Sequence, residues 1–99
     1  MKVYLDDERP APEGWRRVRW PDEAIQLLET GAVEVISLDH DLGDDSRGTG
    51  YDVLLWLERA QVEEGFEVPE IRIHTANVSA RHKMEMAAEA IRGRAGRER

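Results

Sequence analysis

Two groups of aspartates stand out in this 99-residue chain. All eight Asp lie in the first 52 residues, and two groups, Asp6-Asp7 and Asp39-His40-Asp41, each follow a short apolar run. Carboxylates brought together repel one another unless something neutralises them, and a hard divalent cation does so through oxygen ligands. Mg²⁺ keeps several waters and needs few carboxylates, so Asp6, Asp7 and Asp39 are the expected ligands of a Mg²⁺ or Mn²⁺ ion, with Asp41 in reserve. In strand geometry Asp39 and Asp41 point to one side and His40 to the other. An isolated Asp after a strand is ordinarily a turn residue; the paired occurrence at two strand ends is what points to a cation. Asp44-Asp45 lacks that placement and reads as solvated loop. A calcium loop is excluded: counted from Asp39, position 5 is Gly43, position 6 is Asp44 and position 12 is Gly50, against the required Asp or Asn, Gly and Glu.

Proton transfer needs groups that titrate near neutrality, and two of the three histidines are well placed. His40 lies between the carboxylates, and His74 ends an apolar run that faces the same rim. The third, His82, reads as surface. Cations also gather here. Arg9 follows the acidic pair, and Arg81, His82 and Lys83 fall in the first turn of the last helix, where the dipole disfavours positive charge and the free amides attract anions. A phosphate ligand would account for both placements; the alternatives are a salt bridge from Arg9 to the acidic pair and exposed Arg81 and Lys83 paired with Glu85 or Glu89.

The elements that must position these groups follow from apolar spacing. Val3-Tyr4-Leu5, Val33 to Leu38 and Ile71 to Thr75 read as buried strands of a parallel sheet, each running into polar residues. Trp15 to Trp20 reads as an edge strand with Arg on its solvent side. Pro21 opens a helix that Gly31 stops; a second runs from about Tyr51 to Glu63 and ends at Gly65; a third, capped by Asn77 or Ser79, carries Met84, Met86, Ala87, Ala88, Ala90 and Ile91. Strands alternating with helices specify an α/β fold. About eight residues join the first two strands, too few for a helical crossover, so an extended crossing is expected in preference to a hairpin. Ligands of such sheets bind beyond the carboxyl ends of the strands, which is where the acidic groups fall.

Composition agrees. At 40% apolar and 35% charged residues the chain can bury one core. The longest apolar run, Val53 to Leu57, is far short of a membrane span, and the absence of Cys excludes disulfides and thiolate sites and suggests a cytoplasmic setting. The net charge is −7; residues 92–99 carry +3, leaving −10 on residues 1–91, which opposes nonspecific binding of nucleic acid. The expected domain is therefore residues 1–91, with 92–99 a basic, disordered tail. Nothing in the sequence fixes the oligomeric state.

The acidic pair after the first strand, Asp39 after the third and Thr75-Ala76 after the fourth resemble the response-regulator receiver domain, with its metal-binding pair, phosphoacceptor and hydroxyl. The first helix, the last strand and helix, and the Lys that follows the hydroxyl strand are missing. Those departures resemble the cyclic-phosphate processing receiver-like domain, through Leu5-Asp6-Asp7-Glu8-Arg9-Pro10, Asp39-His40-Asp41-Leu42-Gly43, Gly50-Tyr51-Asp52 and His74-Thr75-Ala76-Asn77. The resemblance implies a truncated, flavodoxin-like three-layer fold with a mostly parallel four-stranded sheet. It also implies a metal-dependent phosphoesterase acting on a cyclic phosphate derived from a nucleotide or ADP-ribose. In that reading Asp6, Asp7 and Asp39 hold the metal, and His40 or Asp41 takes the proton of water. His74 protonates the leaving alkoxide, while Arg9, Thr75, Asn77 and Lys83 hold the phosphate oxygens. Attack by Asp39 itself is a covalent variant. A phosphorylated signalling receiver and a noncatalytic nucleotide- or partner-binding module are the alternatives.

Overall fold

The computed structural model describes residues 1–97. Four strands, β1 (Lys2–Leu5), β2 (Arg16–Val18), β3 (Val35–Leu38) and β4 (Glu70–Ile73), form one sheet in the order β2-β1-β3-β4, with every neighbouring pair parallel. The chain between β1 and β2 makes the crossing in extended form, as expected. Three helices follow the strands: α1 (Pro21–Glu29), α2 (Gly50–Glu64) and α3 (Val78–Arg97).

Each helix begins and ends where its local chemistry dictates. Pro21 opens α1, and the Glu23 carboxylate accepts from the Trp20 amide at 3.1 Å. At the start of α2 Thr49 and Asp52 form a reciprocal cap: Thr49 Oγ1 accepts from Tyr51 N, and Asp52 Oδ2 accepts from Thr49 N. Gly65, at φ 66°, ends α2 in the left-handed conformation that favours glycine. Asn77 caps α3, its Oδ1 accepting from Ala80 N at 3.1 Å. Asp45–Arg47, expected as loop, form a single 3-10 turn.

The layering differs from expectation. The crossovers β2-α1-β3 and β3-α2-β4 both advance in the same direction along the sheet, so right-handed connections put both helices on one face. There α1 packs on α2 and α2 on α3. The molecule therefore has two layers rather than three. The β1–β2 connection, the only one that runs the other way, is too short to carry a helix. Val3, Leu5, Ile36, Leu38 and Ile71 face the helices and form the core with Leu28, Val53, Leu54, Leu57, Met84 and Ile91. The other face carries alternate residues, among them Lys2, Tyr4, Ser37 and Arg72, with Trp15 edge-on to Tyr4.

The expected disordered tail is corrected as well. Residues 92 to 97 continue α3. The Arg92 guanidinium donates to Ile71 O at 2.7 Å, and that of Arg94 donates to Oε1 of buried Gln61 at 2.9 Å. The two side-chain anchors keep this stretch helical although Gly93 and Gly96 are poor helix formers. Glu98 and Arg99 lie outside the described residues.

Candidate active site

The hydrogen-bond ladder runs one residue past the strands. Asp6 N donates to Val18 O, Asp39 N to Leu5 O and His74 N to Leu38 O, each at 3.0 Å. Asp6, Asp39 and His74 thus sit side by side, one row beyond Leu5, Leu38 and Ile73. By the twofold alternation of a strand they lean toward the helix-free face. One ligating atom from each lies within 4.8 Å of the others.

Asp6 is the best-held group of this row, only 1% exposed. Its Oδ1 accepts from the amides of Glu8 and Arg9, at 2.9 and 2.8 Å, and its Oδ2 faces His74 Nε2 at 3.0 Å. Burial acts to raise its pKa, but those two amides and the His74 ring outweigh it and hold the carboxyl below its ordinary value. His74 is pinned on all sides. Nδ1 meets Ser37 Oγ at 2.7 Å, Nε2 meets Asp6, and the ring lies flat on Tyr4, 4.2 Å between centroids and 6° from parallel. Burial lowers its pKa, against the opposing pull of Asp6 and Asp39, so the ring is neutral near pH 7. Arg17 ties down the loop behind, donating to the carbonyls of Asp6 and Asp7 at 3.0 and 2.6 Å.

Asp39 is 8% exposed, and its Oδ1 accepts from His40 N at 2.7 Å. The start of α2 presses against it: a Cβ on Gly50 would come within 1.7 Å of Asp39 O, so only glycine fits there. Asp41 leans outward, its Oδ1 at 2.8 Å from His40 Nδ1 and its Oδ2 at 3.4 Å from Asn77 Nδ2. The bond to His40 lowers its pKa, with burial opposing and Asn77 adding to the effect. Thr75, buried, accepts from Asn77 N at 3.1 Å and shapes the turn into α3.

These residues surround a pocket of about 270 Å³. Asp6, Asp7, Asp39 and Asp41 line it together with Arg9, and Thr75 and Asn77 close the side toward α3. Arg9 donates to His74 O at 2.8 Å and remains half-exposed. The donor set fits a hard divalent cation. Four carboxylates face one guanidinium, and among the described residues Asp39 Oδ2 and both Asp7 oxygens accept from no protein group.

Of the residues singled out in the sequence, Asp6, Asp7, Asp39, Asp41, Arg9, Thr75 and Asn77 converge. His40 and His74 do not line the pocket, although His74 shares a row with Asp6 and Asp39. Lys83 lies elsewhere, its Nζ 4.0 Å from the centre of the Tyr51 ring in a groove between α2 and α3 that His82 also lines. Three supporting residues were not anticipated, Ser37, Tyr4 and Arg17, and Gly50 was singled out only as part of a motif block. Ser37 is the one polar residue within Val35–Leu38, and that interruption was the available signal; nothing in the sequence marked Arg17.

With that geometry in view, residues 1–90 match the family described as cyclic-phosphate processing Receiver domain. The chain belongs to that family. No curated protein and no solved structure gives a significant match. The blocks that carried the resemblance of this receiver-like domain now have physical roles. The Asp6-Asp7 and Asp39-His40-Asp41 blocks supply carboxylates, and the His74 to Asn77 block supplies the orienting imidazole and the α3 cap. Within Gly50-Tyr51-Asp52, Gly50 lets α2 approach Asp39 while Asp52 caps the helix.

Proposed function

We propose that this receiver-like domain is a metal-dependent phosphoesterase that hydrolyses a cyclic phosphate, derived from a nucleotide or ADP-ribose, at the carboxyl rim of its sheet. The observation that carries the reading is the convergence of Asp6, Asp7, Asp39 and Asp41 on one pocket, with Arg9 and the capped start of α3 beside them. A Mg²⁺ or Mn²⁺ ion would be held by Asp6, Asp7 and Asp39, supplying charge neutralisation and polarisation of the phosphoryl oxygens.

The chain's own groups divide the remaining work. Asp41 faces the pocket and takes the proton of the attacking water, and His40 behind it orients that carboxylate through Nδ1. Arg9 has N–H groups left over from its bond to His74 O and meets an equatorial phosphate oxygen. The Thr75 hydroxyl and the Asn77 amide complete the cradle. As water oxygen bonds to phosphorus, one ring P–O bond breaks, and the leaving alkoxide takes a proton from solvent. Both nitrogens of His74 are engaged, so its part is to hold Asp6 rather than to donate that proton. Lys83, over Tyr51, has no part in this site.

The test is ³¹P NMR of a panel of cyclic phosphates with Mn²⁺ or Mg²⁺. The reading expects a ring-opened monoester, formed only with metal and lost in Asp41→Asn. No turnover of any member above the metal-only control contradicts it.

A further inference from the structure

Ser37 sits in the middle of β3, 5% exposed, two residues before Asp39 and directly opposite Tyr4 on β1. A hydroxyl in the interior of a strand otherwise made of Val, Ile and Leu forgoes apolar burial, and it is kept where it satisfies a specific partner. That partner is His74 Nδ1, at 2.7 Å.

The direction of that bond follows from the far end of the ring. Asp6, already accepting from two amides through Oδ1, can only accept at Oδ2, so the proton of the neutral imidazole resides on Nε2. Nδ1 is then a bare acceptor, and the Ser37 hydroxyl must donate to it. Tyr4 beneath the ring fixes its plane. We infer that Ser37 is a positioning residue for the metal site: through the relay Ser37 Oγ–H to His74 Nδ1, and His74 Nε2–H to Asp6 Oδ2, it sets which lone pairs of Asp6 remain for a cation. The inference rests on the proposed reading of Asp6 as a metal ligand. Hydrogen-bonded supports of this kind typically change metal affinity by about 10- to 100-fold.

Two measurements test it. Long-range ¹H–¹⁵N NMR of the metal-free wild type reports the imidazole tautomer and is expected to find the proton on Nε2 with Nδ1 bare. Mn²⁺ affinity by titration is then compared in Ser37→Thr, which keeps the hydroxyl, and Ser37→Val, which has the same shape without it. Thr is expected to stay within about twofold of wild type and Val to bind about tenfold more weakly. Should Val be poorly folded by circular dichroism, Ser37→Ala, which adds no atoms, replaces it with the same expectation. A proton on Nδ1 in the wild type, or equal Mn²⁺ affinity with and without the hydroxyl, overturns the inference. Wild-type protein that binds no Mn²⁺ overturns the metal reading beneath it, and the tautomer measurement tells the two failures apart.

Discussion

Two adjacent rows of the same three strands have opposite characters. Leu5, Leu38 and Ile73 pack under the helices, while Asp6, Asp39 and His74, one residue further along each strand, place two carboxylates and an imidazole together near the opposite face. The first row is stabilised by leaving water. The second gains nothing from burial and persists because its groups are bonded: Asp6 by two amides and His74, His74 by Ser37, Asp39 by His40 N. One row thus belongs to the core and the next to the candidate site, and the two should be separable by mutation.

Leu38→Ala should give the largest loss of stability, about 2–5 kcal/mol, because it removes a fully buried side chain from the shared core. Denaturant unfolding measures this, and the folded fraction should bind Mn²⁺ as wild type does. Coupled loss of both properties would mean the rows are not independent. Asp39→Asn should do the reverse. Its amide fits the same space, so stability should shift by no more than about 1 kcal/mol while Mn²⁺ affinity falls about 100-fold, or about 2.7 kcal/mol. Lys83→Ala, in the α2–α3 groove and outside the rim pocket, should leave Mn²⁺ affinity unchanged. The smallest nonzero effect expected is that of pH on the metal-free protein. The native His74 ring stays neutral where the unfolded ring, with its ordinary pKa of 6.5, binds a proton. Stability should therefore be full above pH 6.5 and decline as pH falls from there toward the lowered native value. Asp6 adds a second decline below its ordinary 3.8. Thermal unfolding across pH should show the first limb in wild type and not in His74→Gln; a flat profile in wild type would show that the ring is not buried in its neutral form.

The sequence disclosed what local chemistry controls. Short apolar runs ending in Asp marked the strands and the rim, and Pro21, Gly65 and Asn77 marked helix ends through backbone preferences that need no neighbours. Layering was not legible from local pattern, since which face a helix takes depends on the order of strands in the sheet. That order became clear only once β2 was seen to pair parallel with β1 at the edge. Lys83 was misplaced because a helix start positions several residues around its circumference, and α3 turns this one toward Tyr51. The extent of α3 was missed because its anchors, Ile71 O and Gln61, lie some 20 and 30 residues away in sequence. Ser37 was missed for the same reason: its partner is on another strand.

The central claim is that aspartates from separate strands share one divalent ion in the rim pocket. Anomalous diffraction from crystals soaked in Mn²⁺ tests it most directly. The account predicts a single strong peak within bonding distance of carboxylate oxygens of Asp6, Asp7 and Asp39; no peak in that pocket, or Mn²⁺ bound only elsewhere on the acidic surface, would contradict it.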